Sequence, residues 1–293
     1  MKYDKIVPKV NAILKQYEYP LTLRQVYYRL VAAGDIENTR SNYNSLSKIL
    51  VKAREREVVD YRRIEDRVRT TIQDAYALPG PQDLYDMMSG HIQYIADKYR
   101  RNPWLDQDNY LEVWLEKDAL STVVSRIATD VFCVPVAVNR GYGSFSFIKE
   151  GSRRIESNDK SLHILYFGDF DPSGEDMVRD LQNRIVKYGN GERVALVHKI
   201  ALTKAQIKDY DVPTTPPKKE DARTKAFVEK HGSKTAELDA IDPADLQGMV
   251  EAAIKEYIDP VRWDESNDKS SNDMQQINEM VDRVKWCISD SIT

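Results

Sequence analysis

Between residues 110 and 201 the sequence alternates short apolar runs with stretches of helical periodicity, and this rhythm restricts the fold more than any other feature. Residues 110–115, 131–139, 162–168 and 194–201 read as strands; residues 118–128, 145–155 and 174–187 read as helices. The run 162–168 is apolar at successive positions, as in a strand covered on both faces. Strands that alternate with helices predict a mainly parallel sheet, hence an α/β domain.

A different pattern precedes it. Ile6, Val7, Val10, Ile13 and Leu14 have helical spacing, and Pro20 is placed to stop that helix. Thr22 can cap a second helix over 23–33 that ends at Gly34, and Asn38 and Thr39 open a third with Tyr43, Leu46, Ile49, Leu50 and Ala53 on one face. Helices joined through Gly34 and a polar turn predict a helix-turn-helix. Residues 58–68 then supply the wing of a winged-helix domain or continue as helix. Leu78-Pro79-Gly80-Pro81 punctuates the chain, a helix over 82–99 follows, and Asn102-Pro103 marks a boundary. Beyond the sheet, residues 211–225 read as a linker or surface loop, followed by helices over 243–258 and 272–291, the second with few strong apolar positions. The expected domains are 1–75, 76–107 (a helical linker), 108–210, and 211–293 (a linker and C-terminal helical extension).

Composition narrows the classes. A chain of 293 residues suits two domains. The alternating charged and apolar residues at the start do not resemble a secretory signal, and the longest apolar run, 131–138, is too short to cross a bilayer. No membrane role is expected. With two cysteines there is neither a disulfide framework nor a zinc cluster, and a cytoplasmic setting follows. The net charge of −4 is divided unevenly: residues 1–69 carry fifteen Lys or Arg against nine Asp or Glu, so +6 sits there and −10 on the rest. A basic half joined to an acidic half fits a nucleic-acid module fused to a carboxylate-bearing one. Arg29, Arg54, Arg56, Arg62, Arg63, Arg67 and Arg69 are the expected contacts to duplex DNA.

Where the buried strand 162–168 ends stands Gly168-Asp169-Phe170-Asp171-Pro172-Ser173-Gly174. Ligands of open parallel sheets sit beyond the carboxyl ends of strands. Asp169 and Asp171 point the same way on an extended backbone, and two such carboxylates repel unless a cation joins them. Glu116, at the end of the first strand, can reach the same crevice as a third ligand or as a general acid–base group. Oxygen donors without His or Cys suit Mg2+, with Mn2+ as a substitute. Asp-x-Asp-Pro is also ordinary turn and cap chemistry. Glu112 lies deeper in the strand and is left outside the site.

On the second N-terminal helix, Tyr28 follows Arg24 by four residues, so the two share a face. A neutral phenol attacks phosphorus poorly, with a pKa of about 10. A guanidinium beside it stabilises the phenolate and grips a phosphate, and a metal ion polarises the phosphodiester. The product would be a phosphotyrosine link to one DNA end. Paired tyrosines on a helix also serve as half-buried packing residues, and this chain has seventeen tyrosines.

Taken together these segments resemble the A subunit of type IIB topoisomerases (topoisomerase VI) and the related meiotic double-strand-break transesterases, over most of residues 20–205. The family's Arg-x-x-Tyr/Phe-Tyr segment is matched by Arg24 to Tyr28, its Glu-Lys-Asp-Ala by Glu116-Lys117-Asp118-Ala119, its Lys-Gly-Tyr loosely by Arg140-Gly141-Tyr142, and its Asp-x-Asp-Pro-x-Gly by Asp169 to Gly174. The resemblance implies a winged-helix domain followed by a Toprim domain, Tyr28 as nucleophile aided by Arg24, and Glu116, Asp169 and Asp171 as magnesium ligands. It also implies a homodimer in which each tyrosine works with the metal site of the partner chain. Tyr28 lies close to the start, so the segment that engages an ATPase B subunit is expected to be short or missing, and no phosphate-cradling Gly-rich loop is present. A B-type subunit acting in trans is therefore a possible partner. The reduced form resembles stand-alone Mini-A versions on mobile elements, which implies a nucleoid-associated protein or one in a host cytoplasm. Residues after about 205 match poorly, and Glu237 and Asp239 there read as solvated or structural. Two other functions fit the residues: a Toprim nuclease using water, and a DNA-binding module without catalysis that needs a partner.

Overall fold

The computed structural model describes residues 2–65, 80–156, 159–188, 195–218 and 220–290. Its helices are α1 (Tyr3–Leu14), α2 (Leu23–Ala32), α3 (Arg40–Glu55), α4 (Pro81–Asp97), α5 (Ser121–Ala128), α6 (Phe145–Glu156), α7 (Pro172–Tyr188), α8 (Lys204–Asp209), α9 (Thr224–His231), α10 (Pro243–Lys255) and α11 (Pro260–Asp290). The main strands are β1 (Asn109–Leu115), β2 (Val136–Val138), β3 (Ser161–Phe167) and β4 (Leu196–Ala201). The chain divides into two compact units, Met1–Arg69 with Asn109–Glu256, and Thr70–Asp108 with Tyr257–Thr293.

The first unit is mixed α/β around a four-stranded parallel sheet in the order β2-β1-β3-β4. Alternate side chains bury opposite faces. Trp114, Leu162, Ile164 and Tyr166 pack with Ile148 of α6 and Met177, Leu181 and Ile185 of α7. The other parity, Leu111, Val113, Leu115, Leu165 and Phe167, is buried as well. Glu112 belongs to the interior and not to the crevice at the strand ends. It accepts from Trp114 Nε1 at 2.8 Å and Tyr110 OH at 3.0 Å, and Arg154 of α6 binds both of its oxygens at 2.8 Å.

The N-terminal helices form as their local signals dictate. Thr22 and Gln25 make a reciprocal capping box at the start of α2, and Thr39 caps α3 through the Asn42 N–H at 3.2 Å. Gly34 ends the α2 turn with φ +71°, a conformation that suits glycine. α1 stops at Leu14, before Pro20 is reached. The expected wing is represented among the described residues by a 3₁₀ turn, Tyr61–Arg63, and by Ile64–Glu65 pairing in parallel with Leu21–Thr22; residues 66–68 of it lie outside the described residues.

Three segments differ from expectation. The strand over 131–139 shrinks to Val136–Val138, because Val131, Phe132, Cys133 and Val134 donate their N–H groups back to the end of α5. An apolar run alone does not distinguish a helix end from a strand. The helix expected from Asp118 begins with a 3₁₀ turn, Asp118–Leu120, and becomes α-helical at Ser121. The tail over 211–293 is shared between the two units: Thr214–Thr215 pairs antiparallel with Thr235–Ala236, and Ala236 exchanges backbone hydrogen bonds with Phe170 at 2.9 and 3.0 Å.

In the second unit α4 packs on α11. α11 runs for 31 residues, longer than its sparse apolar positions suggest, and polar contacts hold it: Tyr99 OH to Asp273 at 2.7 Å, Arg101 to Asp273 at 3.2 Å, and Lys285 to Gln93 at 2.6 Å. Among the described residues no helix is long and apolar enough to cross a membrane.

Replacing Arg154 by Ala strips the buried Glu112 carboxylate of its cation. Urea unfolding of Arg154→Ala should show a loss of about 2 kcal/mol, below the figure for a fully buried pair because Arg154 is partly exposed. A loss near zero would mean that the carboxylate is satisfied without the arginine.

Candidate functional site

β1 and β3 are neighbours in register, so their carboxyl ends open side by side. Glu116 continues the ladder, its N–H donating to Phe167 O at 2.9 Å, and its side chain turns toward β3. There Glu116 Oε2 accepts the Asp169 N–H at 3.0 Å. Gly168 makes this approach possible: a Cβ on it would stand 2.8 Å from Glu116 Oε2 and 2.7 Å from the Tyr166 ring. Asp171 opens α7, accepting the Gly174 N–H at 2.7 Å, and a Cβ on Gly174 would collide with the Asp169 carbonyl. Glu116, Asp169, Asp171 and Glu237 all face one cavity of about 360 Å³. Burial first, and then the Asp169 charge, push the Glu116 carboxyl up to about 7.

The sequence predicted these three carboxylates as a ligand set, and the fold places them around one cavity. Among the described residues, however, no three His, Cys, Asp or Glu side chains are arranged to hold a metal ion. Asp169 spends its oxygens elsewhere: Oδ1 accepts the Leu238 N–H at 2.8 Å, and Oδ2 pairs with Lys117 Nζ at 2.8 Å. The donors are hard oxygens of the kind a divalent cation takes, and Glu116's unfavourable charge is one that a cation relieves, but the side chains are not arranged around a common point. Binding one requires Lys117 to release Asp169.

Lys117 is the centre of a network that sequence reading missed. Its ammonium pairs with Glu237 at 3.1 Å and Asp239 at 3.2 Å besides Asp169. Burial opposes its charge, but Asp239 and Asp169 outweigh that, and its pKa is raised. Asp239 is fully buried and also pairs with Arg24, as does the half-exposed Glu237. Asp239 is thus structural and not solvated. The available signal was an acidic residue set among Leu238, Ala240 and Ile241, all buried.

Arg24 lies against Tyr28, its guanidinium 5.7 Å from the ring centroid. The two tyrosines have different duties. Tyr27 OH is anchored to Asn38 and the Thr39 carbonyl, each at 3.1 Å. Tyr28 is buried to 6% exposure, yet its hydroxyl has no hydrogen-bond partner among the described residues. It borders a cavity of about 430 Å³ with Arg24, Tyr43, Asn38, Arg40 and Glu237. Burial, and then Asp239, raise the Tyr28 phenol; Arg24 and Lys117 oppose this without cancelling it, so the group is protonated at neutral pH.

The arginines expected to meet DNA are not equally free. Arg29 is spent on Asp242 and the Ala240 carbonyl, and Arg63 on the carbonyls of Leu14 and Tyr17. Arg54 Nε donates to Leu50 O at 3.2 Å. Arg56 is exposed, 5.6 Å from the Tyr3 ring, and Arg62 is exposed beside Asp60. Arg67 and Arg69 lie outside the described residues. No protein-family model, curated protein or solved structure matches the chain.

The raised Glu116 carboxyl has a consequence for stability. Its folded pKa of about 7 exceeds the ordinary 4.5, so bound proton favours the folded chain. That contribution is full below the unfolded value and is lost as pH rises through about 7. Between about pH 5 and about pH 8, without divalent ions, the thermal midpoint of Glu116→Gln should fall less than that of the parent chain. Parallel pH profiles would mean that Glu116 is ionised throughout.

Proposed function

We propose that this protein cleaves duplex DNA by transesterification, with Tyr28 as nucleophile, as a topoisomerase VI A subunit-like enzyme without its own ATPase. On this reading the N-terminal helices are a winged-helix domain, the parallel sheet is a Toprim domain, and the working assembly is a homodimer. The observation that carries the reading is the pairing of two features in one compact unit. Three carboxylates face one cavity at adjacent strand ends, and a tyrosine with an uncommitted hydroxyl borders a second cavity lined by Arg24. Attack by the Tyr28 oxygen forms a new P–O bond and breaks the phosphodiester bond to one strand oxygen, which leaves with a proton. The protonated phenol needs help, and Arg24 is placed to stabilise negative charge at the ring and to grip a phosphate. Glu116, Asp169 and Asp171 are the residues that would hold Mg2+ or Mn2+, which supplies polarisation of the phosphodiester when bound.

The Glu116 carboxyl near 7 favours a second reading, a nuclease in which that group moves the proton of a water nucleophile. The two separate cleanly. With end-labelled duplex and Mg2+ or Mn2+, quenched in denaturant, label should stay with the wild-type chain and be lost from Tyr28→Phe, with duplex binding kept. Cutting with free ends in both proteins would establish the hydrolytic reading. No cutting with any divalent ion would leave a DNA-binding module. Duplex affinity should fall steeply with salt, and Arg56→Ala should reduce the slope of log affinity against log salt by about one. An unchanged slope would place the DNA elsewhere.

A further inference from the structure

Residues 203–234 carry eight Lys or Arg against five Asp or Glu, a net +3 inside the half of the chain that is otherwise acidic. We propose that this segment builds a binding site for a nucleotide, separate from the carboxylate crevice and independent of the transesterase reading.

Local signals build its walls. After β4, Thr203 and Gln206 make a reciprocal capping box, and Gln206 Nε2 donates to Ile200 O at 2.9 Å, which fixes α8 to the strand it follows. The chain turns at Asp211, with φ +47°, into Thr214–Thr215, which pairs with Thr235–Ala236. That pairing returns residues 231–234, at the end of α9, to α8, and the two segments line one cavity of about 890 Å³. It is larger than the Tyr28 cavity or the carboxylate cavity. Successive residues of an extended chain face opposite ways. Phe170 and Thr214 accordingly border this cavity, while Asp169, Asp171, Thr215 and Thr235 border the carboxylate cavity. The two sites therefore lie on opposite faces of one ribbon.

The lining has two chemistries. Lys204 and Lys208, one turn apart on α8, share a helical face, and Lys234 adds a third ammonium. All three are exposed, and none pairs with an acidic side chain among the described residues, unlike Lys117 and Lys199, which are committed to carboxylates. Asp211 is the one carboxylate among the described residues of the lining. Three ammonium groups against one carboxylate suit a multiply charged anion, and lysine meets phosphate as a point charge. The other part of the lining is apolar: Phe170, Ile207 and Val212. The His231 ring joins them, edge-on to Phe170 at 5.4 Å and stacked on Phe227 at 5.0 Å. Apolar walls with a few convergent polar groups, at this volume, are the usual make-up of a small-ligand pocket. Inorganic phosphate would leave the apolar wall unused, and a neutral ring would leave the lysines unused. A nucleotide answers both, its phosphates among the ammonium groups and the face of its base against the apolar side chains. Thr214, Ser233 and Asp211 offer hydrogen-bonding groups for the sugar.

The test titrates the full-length protein by calorimetry with ADP, adenosine and inorganic phosphate, in low salt with EDTA so that no divalent ion takes part. ADP should bind once per chain, with adenosine and phosphate each weaker by about tenfold or more. The double variant Lys204→Gln, Lys208→Gln should weaken ADP by about tenfold, the loss of two charge-assisted contacts at exposed side chains. Ala205→Glu, an exposed position in the lining, should abolish binding without disturbing the fold, as its thermal midpoint will show. Lys225→Gln, exposed on α9 and outside the lining, should bind ADP as the parent does. No uptake of ADP, phosphate binding as tightly as ADP, or an equal loss in Lys225→Gln would each overturn the proposal. Competition with a short oligothymidylate identifies the source within a confirmed site: displacement of ADP means that a DNA strand supplies the nucleotide, and retention of ADP means that a free one does. No step of this test reads DNA cleavage, so its failure leaves the transesterase reading standing, and failure of that reading leaves the site.

Discussion

A single buried carboxylate organises the crevice. Asp239 is sealed from solvent, and an isolated charge there would cost several kcal/mol, so its two cations are obligatory. Those cations come from distant parts of the chain: Arg24 from the tyrosine helix and Lys117 from the end of β1. Removing Asp239 would release more than a contact. It would leave Arg24 dependent on the half-exposed Glu237, and Lys117 dependent on Asp169 and Glu237. This demand for charge balance, with the hold of Arg29 on Ala240 and Asp242, ties the helix that carries Tyr28 to residues 237–242.

Around it, backbone space sets the remaining distances. Glu116 meets the Asp169 N–H only because Gly168 has no side chain, and α7 starts tightly against Asp169 only because Gly174 has none. These glycines are constrained by close approach, neither of them having a positive φ. They press three acidic groups toward one cavity, and the Glu116 carboxyl is raised there by burial first and then by the Asp169 charge.

What the sequence revealed and what it concealed divide along the range of the interactions. β3 was legible because its successive residues Ile164 to Phe167 had to suit burial on both faces, and α2 because Thr22 and Gln25 sit at capping spacing. The strand ends followed, and with them the grouping of Glu116, Asp169 and Asp171. β2 was overread because its apolar run also caps α5, a choice that composition does not make. α11 was underread because its hold on α4 is made by Asp273, Lys285 and their partners and not by an apolar stripe. Asp239 and Lys117 were concealed for a stronger reason. Their meaning lies in a pairing across 122 residues, and nothing local to either marks the other. Likewise the basic surplus of the first 69 residues suggested a run of DNA contacts, yet Arg29 and Arg63 spend their donors on the protein's own backbone and on Asp242.

The same network also balances the charge of the acidic crevice. Three carboxylates in a partly buried cavity repel, and something must offset them. Lys117 does so, held in its charged form by Asp239 and Asp169. Any divalent cation entering the crevice must therefore compete with an internal ammonium for Asp169 and not merely fill a gap. If it succeeds, Lys117 still has Glu237 and Asp239, so its charge need not become unpaired, and the junction to Arg24 and α2 persists. Exchange of Lys117 for a cation at Asp169 would thus change the electrostatics next to Tyr28 while leaving the helix that carries it in place. On the proposed reading, a change of charge beside Tyr28 without movement of α2 is how a cation at Asp169 would bear on the phenol.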